Sequence, residues 1–122
     1  MGDPAGIGPE IIAKAFRDAP EMTAGCLVVG DVANMRRGAR LAAGFGLIQL
    51  PVAVIATPGD LADVPPACIP VLQPGPAVEP VALGRVSAQA GRIAAECVLW
   101  AADAALRGDV AAVVTAPLHK EA

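Results

Sequence analysis

Aromatic residues are almost missing from this chain: of 122 residues, two are Phe, one is Trp and none is Tyr. A core made under that restriction has to come from Ala, Val, Ile and Leu in close-packed helices and strands. The shortage also removes the stacking platforms on which proteins hold nucleobases, and no run of Lys or Arg tracks a phosphate backbone. The formal net charge is −3 and the pI about 4.9. These features speak against nucleic-acid binding.

Histidine is scarcer still, with His119 alone. A zinc site normally takes three or four protein ligands, so one imidazole does not build one. Cys26, Cys68 and Cys97 are odd in number and far apart, with no CxxC pair and no metal spacing. They read as small buried hydrophobes in a reducing compartment. No stretch reaches the ~18 uninterrupted apolar residues of a membrane span. The most apolar long segment, Ala88 to Leu106, is broken by Arg92, Glu96 and Asp103. No basic region followed by an apolar stretch opens the chain, so no secretory signal is visible and the expected location is the cytoplasm.

What the chain has is aliphatic bulk. The hydrophobic fraction is 55% and the charged fraction 17%. That suits at most one small domain. It also predicts that part of the surface is covered by a partner subunit or by further sequence.

Helical and strand patterns alternate along the chain. Pro9 to Asp18 reads as a helix, with Gly8 as its cap, Glu10 at the positive end of the dipole, and Ile11, Ile12 and Ala15 as its apolar side. Cys26 to Gly30 reads as a buried parallel strand. Asp31 caps a helix that runs to Ala43 and stops at Gly44. Leu47 to Ala56 is strand-like, divided or edged by Pro51. Thr57 to Pro66 is a loop, Ala67 to Leu72 a strand, and Gln73 to Gly84 a long proline-rich connection. The clearest helix runs from Val86 to Leu106, with Val86, Ala90, Ile93, Cys97, Trp100 or Ala101, and Ala104 at helical spacing and Gly108 as its stop. Val110 to Val114 reads as a further buried strand. The predicted class is α/β with a largely parallel sheet, whose ligands gather beyond the carboxyl ends of the strands.

Two polar clusters are candidates for chemistry. The opening loop, Gly2-Asp3-Pro4-Ala5-Gly6-Ile7-Gly8-Pro9, runs into a helix start, where unpaired N–H groups attract anions. It is neither GxGxxG nor a P-loop, and a loop shaped only for packing is the alternative. Asp3 either orients a ligand hydroxyl or amine or braces the turn through its own backbone. The closing cluster is Thr115, His119 and Lys120. Lys120 offers a point charge for phosphate or carboxylate. His119 offers a group that titrates near neutrality, unless it is a plain surface residue. Ser87, Gln89 and Arg92 read as a solvated helix face, with contact to a ligand or a neighbouring subunit as the alternative.

Three segments together resemble the 4-hydroxythreonine-4-phosphate dehydrogenase family. They are Gly2-Asp3-Pro4-Ala5-Gly6-Ile7-Gly8-Pro9-Glu10, Gly84-Arg85-Val86-Ser87-Ala88-Gln89-Ala90-Gly91 and Thr115-Ala116-Pro117-Leu118-His119-Lys120-Glu121-Ala122. The resemblance spans essentially the whole chain but only about the first third of a typical family member. It implies an incomplete α/β fold of the isocitrate/isopropylmalate dehydrogenase-like kind. Residues 1–122 are then a partial N-terminal region of a two-domain enzyme, lacking the strand that precedes Gly2 and the rest of the catalytic region.

The activity it implies is oxidation of 4-phosphohydroxy-L-threonine by NAD and decarboxylation to 3-amino-2-oxopropyl phosphate, in pyridoxal phosphate synthesis. The complete family protein is a homodimer that uses NAD and a divalent metal (zinc, magnesium or cobalt) on a small phosphorylated substrate. On this resemblance the candidate substrate- or cofactor-proximal residues are Asp3, Gly6, Gly8, Thr115, His119 and Lys120. No family metal ligand maps onto any residue here. The metal-ligand histidines and a Gly-His-Thr motif follow the Thr-Ala-Pro-x-x-Lys loop in the family. The expectation is that these 122 residues alone bind neither metal nor NAD tightly and are inactive. A paralogue acting on threonate or erythronate 4-phosphate, a non-catalytic dimerising fragment and an unstable fragment without function are the alternatives.

Overall fold

Three short parallel strands form the sheet, in the order β1-β3-β2. The computed structural model describes residues 1–122. Their order is α1 (Gly8–Asp18), α2 (Pro20–Thr23), β1 (Val28–Val29), α3 (Val32–Ala43), β2 (Val52–Ile55), a 3-10 turn (Pro58–Asp63), β3 (Ile69–Leu72) and α4 (Ala88–Arg107). The α/β class read from the sequence is therefore present, as a small sheet. No helix is long and apolar enough to cross a membrane.

β3 is central, and all four of its residues are buried. It carries Pro70, which has no N–H to give. The N–H of Ile69 points toward β2 and donates to the Pro51 carbonyl at 2.8 Å. Residue 70 therefore faces the β1 side, where pairing begins only at Val71. The proline sits where no partner is asking for a donor.

α1 packs along α3, and α4 lies against β1. The core joins Met35, Ile69 and Val71, all fully buried, to Ala13, Val28, Ala39, Val81, Ala90, Ile93 and Cys97. Small side chains dominate it, as the shortage of aromatics demands. Asp31 caps α3 by accepting the Asn34 N–H at 2.8 Å, and Gly44 ends that helix. Ser87 caps α4 by accepting the Ala90 N–H at 3.1 Å, and Gly108 closes it in the left-handed region.

Several sequence readings are corrected. Val110 to Val114 is not a buried strand. It has no regular structure, and Val113 and Val114 are exposed. An apolar run becomes a strand only where a sheet edge lies free beside it. Here no strand pairs on the outer side of β1, where the Val29 carbonyl accepts from Met1 at 2.8 Å. The strands read at 26–30 and 47–56 shrink to their β-branched centres.

On α1 the buried side is Pro9 and Ala13 with Ile12 and Phe16 half-buried, while Ile11 and Ala15 face outward. Ile7, not Gly8, stands at its cap position. Val86 lies outside α4 and is exposed, and Trp100 is half-buried. Of the cysteines only Cys97 is buried; Cys68 is half-buried and Cys26 exposed. Phe45, Ile48, Leu99 and Leu106 also present large apolar surfaces to solvent.

Candidate functional site

The opening loop lies at the carboxyl end of β1, as the strand order leads one to expect. Gly30, just beyond that strand, is covered by the Met1 side chain. Asp3 then turns the chain. Its Oδ1 accepts the Ala5 N–H at 2.8 Å, and its carbonyl accepts the Gly6 N–H at 3.1 Å. One carboxylate oxygen therefore braces the loop, the structural role weighed for it, and the side chain remains half-buried at a cleft.

That cleft, of about 390 Å³, has a wall of Ala90, Gly91, Ala94, Val98 and Leu99 from α4. Across from it are Asp3, Leu118, His119 and Lys120. The two polar clusters, far apart in the sequence, thus meet. The link is direct, because the Asp3 N–H donates to the Pro117 carbonyl at 2.9 Å. Two glycines permit the approach. Gly2 has φ +76, and a Cβ there would lie 2.7 Å from the Pro117 oxygen. A Cβ on Gly91 would run into the Ala122 backbone. Each of the three resembling segments therefore supplies part of one cleft.

The other predicted residues stand elsewhere. Gly8 is buried as the first residue of α1, with the Met1 carbonyl and the Ala116 side chain where a Cβ would go. Thr115 is exposed and does not line the cleft. Gly6 faces a second cleft of about 270 Å³ with Glu10, Arg37, Leu83 and Gly84.

Arg37 was not singled out by the sequence, because a charge on a helix reads as a solvated face. Its guanidinium instead donates to the Val81 carbonyl, to the Pro4 carbonyl at 2.9 Å and to Asn34 Oδ1 at 3.0 Å. Burial pulls its pKa below the ordinary arginine value, Arg40 adds to that, and Asp31 opposes it. One signal did exist: Arg37 falls three residues after Asn34 and next to Gly38, inside the stripe that α3 buries.

The donors present do not make a metal site. The cleft holds one imidazole and one carboxylate, and nowhere do three His, Cys, Asp or Glu side chains come within reach of one ion. A Rossmann-type dinucleotide turn is not present either. The turn after β1 has a single glycine, Gly30, and the Asp31 carboxylate is engaged by Asn34. What the cleft residues offer is a cation at Lys120, an imidazole ring at His119, a carboxylate oxygen at Asp3 and an apolar wall.

The fold matches that of an α/β dehydrogenase. A crystal structure of 4-hydroxythreonine-4-phosphate dehydrogenase from Klebsiella pneumoniae superposes with a TM-score of 0.83 at 40% identity, covering 99% of this chain and 36% of that one. The sequence profile of the pyridoxal phosphate biosynthetic protein PdxA matches residues 22–122, and the chain belongs to that family. Two curated relatives match over their full overlap with it. D-threonate 4-phosphate dehydrogenase of Salmonella typhimurium is 44% identical, and 4-hydroxythreonine-4-phosphate dehydrogenase of Trichlorobacter lovleyi is 36% identical. Each alignment covers all of this chain and 36% of the relative's length.

Proposed function

We propose that residues 1–122 are the N-terminal α/β portion of a two-domain, cytoplasmic dehydrogenase of pyridoxal phosphate biosynthesis. Its reaction is the oxidation and decarboxylation of 4-phosphohydroxy-L-threonine to 3-amino-2-oxopropyl phosphate, with NAD as oxidant. The complete protein works as a homodimer and uses a divalent metal, both cofactors being held mainly by residues outside this stretch. The exposed apolar side chains at the end of α3, in the segment 45–48 after it and on α4 support burial against a partner or further sequence.

One observation carries the reading: three segments that resemble the family only in combination converge on one cleft. There Lys120 attracts the substrate's phosphate or carboxylate as a point charge. Asp3, through the carboxylate oxygen not used by Ala5, accepts from a substrate hydroxyl or amine. His119 supplies a hydrogen bond at the rim. The apolar wall of α4 excludes water from the bound carbon chain.

The test is NADH formation by the full-length protein that carries these residues, with divalent metal and 4-phosphohydroxythreonine. Turnover is expected, and Lys120→Ala raises KM roughly 10- to 100-fold, the worth of one charge-assisted bond. Absence of turnover on any phosphorylated four-carbon hydroxy acid overturns the reading.

A second reading has its own support. The Salmonella relative named for D-threonate 4-phosphate is more similar than the Trichlorobacter relative named for 4-hydroxythreonine-4-phosphate. On that reading the substrate carries a hydroxyl where hydroxythreonine carries an amine. The ratio of kcat/KM for the two substrates decides between them.

A further inference from the structure

We propose that Arg37 is a positioning residue that fixes Asp3 at the cleft, acting through the backbone of Pro4. This rests on the reading of the cleft as a substrate site. Arg37 binds no carboxylate; all three of its acceptors are neutral oxygens. Two of them belong to different loops. The Pro4 carbonyl is in the opening loop, one residue past Asp3, and the Val81 carbonyl is in the connection before α4.

The third acceptor, Asn34 Oδ1, also takes the Val81 N–H at 3.2 Å. Asn34 Nδ2 donates to Asp31 Oδ1 at 2.7 Å. Asp31, Asn34 and Arg37 follow one another at intervals of three along α3. The arrangement joins a buried carboxylate to a guanidinium through one neutral amide.

The two loops are then joined to each other, because the Gly84 N–H donates to the Ala5 carbonyl at 2.8 Å. Ala5 is the residue whose N–H holds the Asp3 carboxylate. Arg37 thus holds Pro4 from one side while Gly84 holds Ala5 from the other, and Asp3 hangs from that pair. A planar fork with several donors suits this task better than an ammonium, which carries its hydrogens on a single nitrogen.

The experiment uses the 122-residue chain with Arg37→Met and Arg37→Lys, read by residue-resolved amide exchange. In Arg37→Met the amides of Ala5 and Gly84 exchange roughly 10- to 100-fold faster, while those of Ile93, Ala94 and Cys97 in α4 keep their rates. Arg37→Lys restores part of the lost protection, and the Asp3 carboxyl carbon resonance moves in Met and returns toward its original position in Lys. Unchanged exchange at Ala5 and Gly84 in a folded variant overturns the proposal. So does a uniform rise across α4, which marks a residue that only stabilises the whole. Titration of the full-length protein with 4-phosphohydroxythreonine or D-threonate 4-phosphate, followed on the His119 ring, tests the cleft separately. Silence in the unsubstituted full-length protein counts against the substrate site, and the exchange data still judge the clamp.

Discussion

The main-chain N–H of Asp3 donates to the carbonyl of Pro117 at 2.9 Å, tying the first loop to the last. This single bond carries much of the cleft's geometry. It sets the carboxylate of one loop beside His119 and Lys120 of the other. It also leaves little room, and that tightness can be probed from either side.

Gly2→Ala tests the N-terminal side. The backbone there has φ +76, and the new Cβ would sit 2.7 Å from the Pro117 oxygen and 2.9 Å from Ala116. An L residue is strained in that conformation whatever the space, and backbone atoms are poor at moving aside. The expected cost is about 1–3 kcal/mol, measured as a lower midpoint in urea unfolding. The hydrogen bond from Asp3 to Pro117 weakens with it, so the Asp3 amide loses its exchange protection.

Gly91→Ala tests the other side and separates two effects of opposite sign. A glycine inside a helix costs about 1 kcal/mol relative to alanine, so α4 alone gains from the change. The added methyl, however, occupies the place of the Ala122 backbone. The expected outcome is a helix at least as stable as before, with residues 118–122 lifted from it. Amide exchange in α4 then slows or holds while the Ala122 N–H, now bonded to the His119 carbonyl at 3.2 Å, exchanges faster. A stable helix with an unmoved terminal segment contradicts the packing described.

These two glycines show where the sequence could be read and where it could not. The caps Asp31, Gly44 and Gly108 were legible, because each does a local job that its residue type announces. The α4 stripe of Ala90, Ile93, Cys97 and Ala104 was legible through its spacing. Val110 to Val114 was not, because five apolar residues carry no information about whether a sheet edge is free beside them. Here no strand pairs on the outer side of β1. The meeting of Asp3 with His119 and Lys120 followed from the α/β topology, which sends both loops beyond the carboxyl ends of the strands. Arg37 escaped because two of its three acceptors are main-chain carbonyls of distant loops, and no sequence pattern marks a carbonyl as unpaired.

The 3-10 turn after β2 gives a pH dependence with a definite sign. The Asp60 carboxylate is held below its usual range, first by the Thr57 N–H and then by the Ala56 N–H, both at 3.0 Å. The folded state therefore prefers the charged form more than the unfolded chain does. Its stabilising effect is fully present above the unfolded carboxylate value of about 4 and is lost as pH falls through the lower folded value. The Asp60 carboxyl carbon shift followed against pH is expected to titrate below the range of a free aspartate. Asp60→Asn keeps an acceptor but no charge, so its stability should lack this acid-side step. Parallel unfolding curves for the two proteins below pH ~4 and above it make the comparison.

Metal affinity is the sharpest prediction about the 122 residues themselves. A divalent ion such as zinc is held by three or four protein ligands at close range, and the cleft supplies His119 and the Asp3 carboxylate, one oxygen of which already accepts from Ala5. Two donors on facing loops leave most of an ion's coordination to water, and the entropy of holding an exposed His119 in place is not recovered. Calorimetric titration of the chain with zinc is therefore expected to show only weak binding without fixed stoichiometry. His119→Ala should leave that isotherm nearly unchanged. Stoichiometric, tight uptake that His119→Ala abolishes would mean that the loop from Thr115 to Ala122 closes further over Asp3 than its bond to Pro117 allows.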